Sequence, residues 1–257
     1  MIPATRAESA PPMTSDQQPI ATHDFVPLAG DLRGFYAAPH GPGPFPGVLV
    51  YQEAFGVNEY VQSEVRRLAA HGYAAIAPDL FRGETYPYGD ERAFAKLRTL
   101  RDDALLADVR AAADFLQNRA EVRDAPFGAV GFCMGGRLAV LTAIALGDRI
   151  AAAASFYGGG IAPEQQRFFP PIVDRLSEID AELLLIYGAD DASIAPKEHA
   201  RVAETLSRSK KRYTLSVYPD AGHGFASRDR ESYRAEPAEA AWQQTLALFA
   251  RTLSPAR

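Results

Sequence analysis

The chain has 257 residues, 47% of them hydrophobic and 23% charged, and its 27 Lys and Arg against 32 Asp and Glu leave a formal charge of −5. This composition is typical of a soluble globular protein long enough to bury a core in one large α/β domain or two smaller ones. The mildly acidic balance offers no basic face for nucleic acid or for an anionic membrane surface.

The N-terminal segment differs in composition from the rest. It is rich in Pro, Ala, Ser and Thr and lacks the apolar run of a secretory signal, so we expect a flexible tail over residues 1–21 and a single domain over residues 22–257. The central apolar stretch, residues 138–147, is too short to cross a bilayer. The only cysteine, Cys133, excludes an intrachain disulfide and favours a reducing compartment, so we expect a cytoplasmic protein.

Strand and helix patterns alternate along the chain. We predict a hairpin over 24–38, a strand over 47–51, a helix over 58–72, a strand over 73–77, a helix over 102–117, a strand over 129–132, a helix from Met134, strands over 150–156 and 183–187, a helix over 196–207, a strand over 213–218 and a last helix opened by Pro237. This alternation predicts an α/β fold, a mostly parallel sheet with helices on both faces. Residues 81–101 and 158–180 are expected to be irregular loops, which often carry function.

The most informative segment is residues 130–136, with the sequence VGFCMGG, where a buried strand turns directly into a helix. It has the pattern of a nucleophile elbow with sulfur in place of oxygen. Small residues are needed two positions either side of the nucleophile because the turn is strained, and Gly131 and Gly135 meet that need. The helix N-terminus favours a thiolate at Cys133 and can hold a developing oxyanion. The alternative is that Cys133 is simply a small buried residue.

Candidate partners for Cys133 follow in the order acid, then histidine. Asp191 comes after a strand end and a glycine turn, with Asp190 as its neighbouring competitor, and either carboxylate could instead cap a helix or bind turn amides. His223 is flanked by glycines after the last strand, where a loop can bring the imidazole to the elbow. The three residues fit acyl transfer, in which His223 accepts the thiol proton, Asp191 orients His223, and Cys133 attacks an acyl carbon.

An oxyanion hole is expected beside the elbow. In this arrangement one donor is the amide of the residue after the nucleophile, here Met134. The second comes from the loop after the first parallel strand, where Ala54 is the preferred candidate.

These motifs resemble those of the dienelactone hydrolases, α/β-hydrolases with a Cys-Asp-His triad. The resemblance spans about residues 22–254 and rests on QEAFGVN at 52–58, APDLF at 77–81, the Cys133 elbow, and the Asp191 and His223 segments. It implies that Glu53 regulates the thiol by hydrogen bonding it in the resting enzyme and moving away when substrate binds. A carboxylate close to Cys133 would also oppose a standing thiolate on physical grounds.

Substrate-binding residues follow from the resemblance less directly. The best-known members hold a substrate carboxylate between two arginines, which implies Arg82 after APDLF and Arg228 or Arg230 after the histidine; Arg228 is our candidate, although Ser227 stands at the expected position. Tyr157 resembles a family tyrosine bordering the pocket. A surface role for the arginines and a core role for Tyr157 are the alternatives.

The resulting interpretation is a hydrolase of a small ester or lactone that works through a thioester on Cys133, without metal or cofactor. Its expected partner is the small-molecule substrate, with neither nucleic acid nor membrane, and the chain is expected to be a monomer or a homodimer. A carboxylesterase acting on other short esters is the nearest alternative, since a fold does not determine a substrate. A redox-sensing thiol protein and a non-catalytic binding module are alternatives of other classes.

Overall fold

The computed structural model describes residues 19–166 and 168–253. Its strands are β1 (Ile20–Pro27), β2 (Arg33–Pro39), β3 (Gly47–Tyr51), β4 (Ala74–Pro78), β5 (Phe127–Phe132), β6 (Ile150–Phe156), β7 (Glu182–Gly188) and β8 (Tyr213–Tyr218). Its α-helices are α1 (Glu59–Ala70), α2 (Glu91–Thr99), α3 (Asp102–Gln117), α4 (Met134–Leu146), α5 (Pro196–Arg208) and α6 (Ala235–Thr252). Short 3-10 helices cover Gly147–Arg149 and Val173–Glu178.

In this part of the chain, eight strands form one sheet in the order β1-β2-β4-β3-β5-β6-β7-β8. β2 pairs antiparallel with both β1 and β4, whereas β4, β3 and β5 through β8 run parallel. The predicted hairpin is confirmed, with Gly30 at φ +62° in its turn. Strands such as β3 are apolar throughout because both of their faces are buried.

Helices cover both faces of the sheet, as predicted. Successive residues of a strand point to opposite faces, so Gly128 and Gly131 of β5 mark the two sides. A Cβ on Gly128 would lie 2.9 Å from the Leu253 side chain, just past the end of α6, whereas a Cβ on Gly131 would lie 1.9 Å from the Gly135 carbonyl oxygen in α4. α1 packs beside α6, since the Arg67 guanidinium of α1 lies 4.4 Å from the centroid of the Trp242 ring of α6.

Three expectations about elements need correction. Residues 158–180 are not wholly irregular, because Val173–Glu178 forms a 3-10 helix there. Residues 81–101 are not wholly irregular, because α2 forms there with the Asp90 side chain accepting from the Arg92 amide at its N-terminus. Only Ala93 and Leu97 of this helix are buried, and two buried positions are too few to show a helical period of apolar residues in the sequence. The last helix begins at Ala235 rather than at Pro237. The first turn of a helix tolerates a proline because the N–H groups there have no intrahelical acceptor, so the missing N–H of Pro237 breaks no hydrogen bond.

β1 begins at Ile20, two residues before the predicted domain start, and the predicted tail falls mainly on residues 1–18, outside the described residues. Among the helices described, none is long and apolar enough to cross a bilayer.

Candidate active site

The candidate site lies along the carboxyl edge of the parallel strands. Glu53 and Ala54 follow β3, Cys133 follows β5, Asp191 follows β7 and His223 follows β8. Side chains distant in sequence meet here because parallel strands bring their carboxyl ends to one edge of a sheet, the usual place for ligands in such folds.

Cys133 occupies a strained turn between β5 and α4. Its φ of +56° and ψ of −118° lie in a region that residues other than glycine rarely adopt, at a cost of about 1–3 kcal/mol. Its amide donates to the Phe156 carbonyl over 3.0 Å, and its own carbonyl accepts from the Gly136 amide over 2.9 Å. A Cβ on Gly135 would lie 2.4 Å from the Tyr51 carbonyl oxygen, so this glycine lets α4 start against β3.

His223 contacts Asp191 rather than Asp190. The His223 Nδ1 and Asp191 Oδ2 are 2.8 Å apart, and Asp191 Oδ1 accepts from the Ser193 amide over 2.8 Å. The Asp191 side chain is fully buried, whereas Asp190 is exposed. The buried carboxylate therefore presents one oxygen to the imidazole while its other oxygen is held by the turn.

The charge of His223 is set by its two neighbours. Burial lowers its pKa, but the charge of Cys133, together with hydrogen bonding to Asp191 and Cys133, outweighs burial and raises the pKa to about 10. With its pKa at about 10, His223 is a protonated imidazolium near neutral pH. The Tyr157 ring packs edge-on against the imidazole with centroids 5.2 Å apart, which fixes the ring plane.

The two residues predicted to form the oxyanion hole border the same cavity as the Cys133 sulfur. Ala54 and Met134 both line the cavity that contains Cys133 and His223. The Ala54 loop is held by the segment after β4, since the Leu80 amide donates to Gln52 Oε1 and the Tyr86 amide donates to the Phe55 carbonyl. Met134 is the first residue of α4, where amides have no intrahelical acceptor.

Glu53 is directed to Arg230 in this structure. Arg230 Nη1 donates to Glu53 Oε1 over 3.1 Å, and the Glu53 side chain is 1% exposed. Burial raises the pKa of Glu53, opposed by the charges of Arg230 and His223. Within the described residues, Glu53 makes no hydrogen bond with Cys133, so its thiol-regulating role stays a prediction.

A cavity of about 690 Å³ opens above Cys133. This is within the range of about 300–1,000 Å³ typical of small-molecule sites. Its lining combines reactive groups with a predominantly apolar wall: Ala54, Phe55, Phe94, Leu97, Cys133, Met134, Gly159, Gly160, Pro163, Glu164, Gln165, Phe168, Phe169, Ser193, Ile194, Ala195, Glu198, His223 and Arg230.

The three predicted substrate-binding residues lie away from this lining. Arg82 forms a bidentate pair with Asp108, at 2.8 and 2.9 Å, and also contacts Asp31. Arg228 lines a separate, much smaller cavity, and Tyr157 is fully buried behind the imidazole. None of the three lines the cavity with Cys133, so the structure gives the two-arginine clamp no support.

Arg230 is the guanidinium that lines the cavity instead. The sequence of the loop after β8 does not show whether Arg228 or Arg230 lines the cavity. What distinguishes them is the contact of Arg230 with Glu53, which lies 177 positions away in the sequence. Gly224 makes room for this guanidinium, since a Cβ there would lie 2.2 Å from Arg230 Nη1.

The described side chains were also searched for groupings that could bind a metal ion. In the described part of the chain, no group of three or more His, Cys, Asp and Glu is arranged to hold a metal ion.

Comparison with known proteins identifies the family of this chain. Residues 32–253 match the dienelactone hydrolase family. The chain belongs to the dienelactone hydrolase family. The resemblance inferred from its motifs is thereby confirmed, and the chain is a hydrolase with the α/β-hydrolase fold.

Individual relatives agree with this assignment. A protein of Escherichia coli (strain K12), provisionally named a carboxymethylenebutenolidase, is 34% identical over 247 residues, which are 92% of this chain and 89% of that protein. A solved structure from Klebsiella pneumoniae subsp. pneumoniae MGH 78578, provisionally named a dienelactone hydrolase, is 32% identical with a TM-score of 0.82 and covers 90% of this chain and 99% of its own. The dienelactone hydrolase-like promiscuous phosphotriesterase P91, from metagenomic libraries, is 25% identical with a TM-score of 0.77, covering 92% of this chain and all (100%) of its own.

Proposed function

We propose that this dienelactone hydrolase family member cleaves a small carboxylic ester or lactone, with Cys133 as nucleophile, His223 as general base and acid, and Asp191 as the group that orients His223. The observation that carries the proposal is the 2.8 Å contact between His223 Nδ1 and Asp191 Oδ2, on an imidazole whose charge is coupled to Cys133. Ala54 and Met134 are the proposed oxyanion donors.

The acylation step follows from these positions. His223 holds the proton of the Cys133 thiol, and the sulfur attacks the carbonyl carbon, whose oxygen becomes an oxyanion near the amides of Ala54 and Met134. When the carbonyl re-forms, the bond to the alkoxy oxygen breaks and His223 gives that oxygen its proton. A thioester on Cys133 and a free alcohol result; for a lactone, the alcohol remains part of the acyl group.

Deacylation uses the same groups. His223, now neutral, takes a proton from water as the water oxygen attacks the thioester carbonyl. The carbon–sulfur bond then breaks, the acid leaves and the Cys133 thiolate is restored beside protonated His223. Asp191 stabilises the imidazolium in both halves of the cycle.

The test compares the wild type with Cys133→Ala on dienelactone and on 4-nitrophenyl acetate. We expect the substitution to lower kcat by at least about 10³-fold on every ester that the wild type cleaves, because the covalent step is lost. Val217→Ala, a change on the exposed face of edge strand β8, is the matched control. Retained turnover in the Cys133→Ala variant would refute the proposal.

Trapping the acyl-enzyme separates hydrolysis from the redox-sensing alternative. Rapid acid quench during turnover of 4-nitrophenyl acetate, followed by intact mass analysis, should show one acetyl group on Cys133. A protein that oxidises at Cys133 but never acylates there would instead favour redox sensing.

A further inference from the structure

One wall of the cavity is formed by the loop between β6 and the 3-10 helix at Val173–Glu178. Its cavity-lining residues are Gly159, Gly160, Pro163, Glu164, Gln165, Phe168 and Phe169. Apart from residue 167, which lies outside the described residues, residues 158–172 form neither helix nor strand. Because the loop lacks the regular hydrogen bonds of such elements, its position beside Cys133 depends on contacts with other parts of the chain.

The two ends of this loop are tied together. The Ile172 amide donates to the Ile161 carbonyl over 3.0 Å. Arg137, in the first turn of α4, donates to the Gly160 carbonyl over 3.2 Å and to the Pro170 carbonyl over 2.7 Å. The Arg137 side chain is 2% exposed, so these bonds are shielded from water.

A carboxylate from α5 fixes the start of the loop. Glu198 Oε1 accepts from the Ile161 and Ala162 amides over 2.8 and 3.1 Å, and all three residues are buried. Glu198 lies in the first turn of α5, where the partial positive charge of the helix N-terminus favours a carboxylate. Without the Glu198 oxygen, two buried amides would lose their acceptor, which is costly.

A second side chain of α5 holds the same segment through its carbonyls. Arg201 Nη1 donates to the Ala162 carbonyl over 2.9 Å and to the Pro163 carbonyl over 3.0 Å. α5 therefore binds both the donors and the acceptors of the backbone at residues 161–163. Glu198 also lines the cavity, so this attachment lies directly at the wall.

We propose that Glu198 is a positioning residue that holds this wall in place before substrate binds, and that the wall contacts the part of the substrate that extends beyond the reacting carbonyl. The inference rests on the proposed function and deepens it, because it names a residue that determines selectivity for substrate length. A wall held in place needs no ordering when a long group binds, whereas a released wall must be ordered at each binding event.

The test compares a short and a long ester at each end of the substrate. The acyl pair is 4-nitrophenyl acetate and 4-nitrophenyl hexanoate; the alcohol pair is methyl acetate and hexyl acetate, followed by acid release. We expect Glu198→Leu to lower the kcat/KM of the long ester relative to the short one at least about fivefold in one pair or both, compared with the wild type.

Two variants control for charge and for the helix. Glu198→Gln keeps an oxygen acceptor for both amides, so the selectivity should stay within about twofold of the wild type. Glu204→Gln makes the same change at an exposed position of α5, where the side chain pairs only with Arg208, and should leave the selectivity unchanged.

Hydrogen exchange tests the wall without turnover. The Ile161 and Ala162 amides should exchange at least about tenfold faster in Glu198→Leu than in the wild type, because their acceptor is lost, and near the wild-type rate in Glu198→Gln. Should Glu198→Leu fail to fold, Arg201→Leu replaces it, since Arg201 is exposed and holds the same segment. We expect Arg201→Leu to shift selectivity in the same direction at least about twofold.

The outcomes distinguish this inference from the proposed function. Turnover that depends on Cys133, together with an unchanged or increased preference for the long esters in Glu198→Leu, would overturn the inference alone; in Arg201→Leu the same result would do so if Glu198→Leu does not fold. Equal losses on short and long esters, or slow exchange retained in Glu198→Leu, would also overturn it. Turnover that does not depend on Cys133 would overturn the proposed function.

Discussion

Arg230 Nη1 lies 3.1 Å from Glu53 Oε1, which joins the loop after β8 to the loop after β3 beside the catalytic candidates. The Glu53 side chain is 1% exposed and the Arg230 side chain 20% exposed. Removing one partner of an ion pair this deeply buried lowers the stability of the fold, because the remaining buried charge then has no opposite charge beside it.

Arg230→Ala is expected to destabilise the fold by about 2–3 kcal/mol near pH 7, since Glu53 loses its partner. Burial already raises the pKa of Glu53, and loss of the Arg230 charge raises it further. The folded state then binds more protons than the unfolded state above the ordinary Glu pKa, so stability falls as pH rises. Urea unfolding from pH 4.5 to pH 8 measures this, and a penalty that shrinks with rising pH would contradict it.

The double variant Arg230→Ala with Glu53→Gln is the control for that experiment. It removes the buried charge along with its partner, so we expect part of the lost stability to return and the pH dependence that Arg230→Ala added, measured against the wild type, to disappear.

Asp191→Asn is expected to lower kcat/KM by about 10³–10⁴-fold, because the amide no longer favours the required tautomer or stabilises the imidazolium. Asp190→Asn changes the exposed neighbour by the same chemistry and should stay within about threefold of the wild type, since an exposed charge contributes little. Steady-state kinetics on one activated ester compares the two. Equal losses in both variants would remove Asp191 from its proposed role.

Cys133→Ala is expected to lower the pKa of His223 from about 10, since the charge of Cys133 is the largest influence that raises it. The sign follows because a thiolate stabilises the imidazolium and alanine cannot. NMR titration of the imidazole carbon-bound protons measures the shift. An unchanged His223 pKa would show that the sulfur and the imidazole are not coupled.

Gly131→Ala is expected to destabilise the protein by more than about 3 kcal/mol or to prevent folding, because its Cβ would lie 1.9 Å from the Gly135 carbonyl oxygen. Gly222→Ala is the matched control, since its Cβ would approach nothing closer than the Asp190 carbonyl oxygen at 3.7 Å. Thermal unfolding of both variants checks the difference. A Gly131→Ala protein as stable as the control would contradict the tight packing of the elbow.

Much of the fold was predictable because its signals are local. An apolar run such as residues 47–51 and the helical spacing after Asn58 each report burial within one element, and the alternation of such elements implies a parallel sheet. α2 was missed because its buried stripe consists of only Ala93 and Leu97.

The order of chemistry-bearing residues was also readable in the sequence, since Cys133, Asp191 and His223 each follow a strand whose end lies at the same edge of the sheet. His223 contacts Asp191, the carboxylate that the sequence already favoured over Asp190. Tertiary structure decided what local patterns could not: that Arg230 rather than Arg228 lines the cavity, and that Arg82 pairs with Asp108. The physical reason is that a loop side chain takes its direction from partners on distant segments, and a spacing along one chain segment carries no information about them.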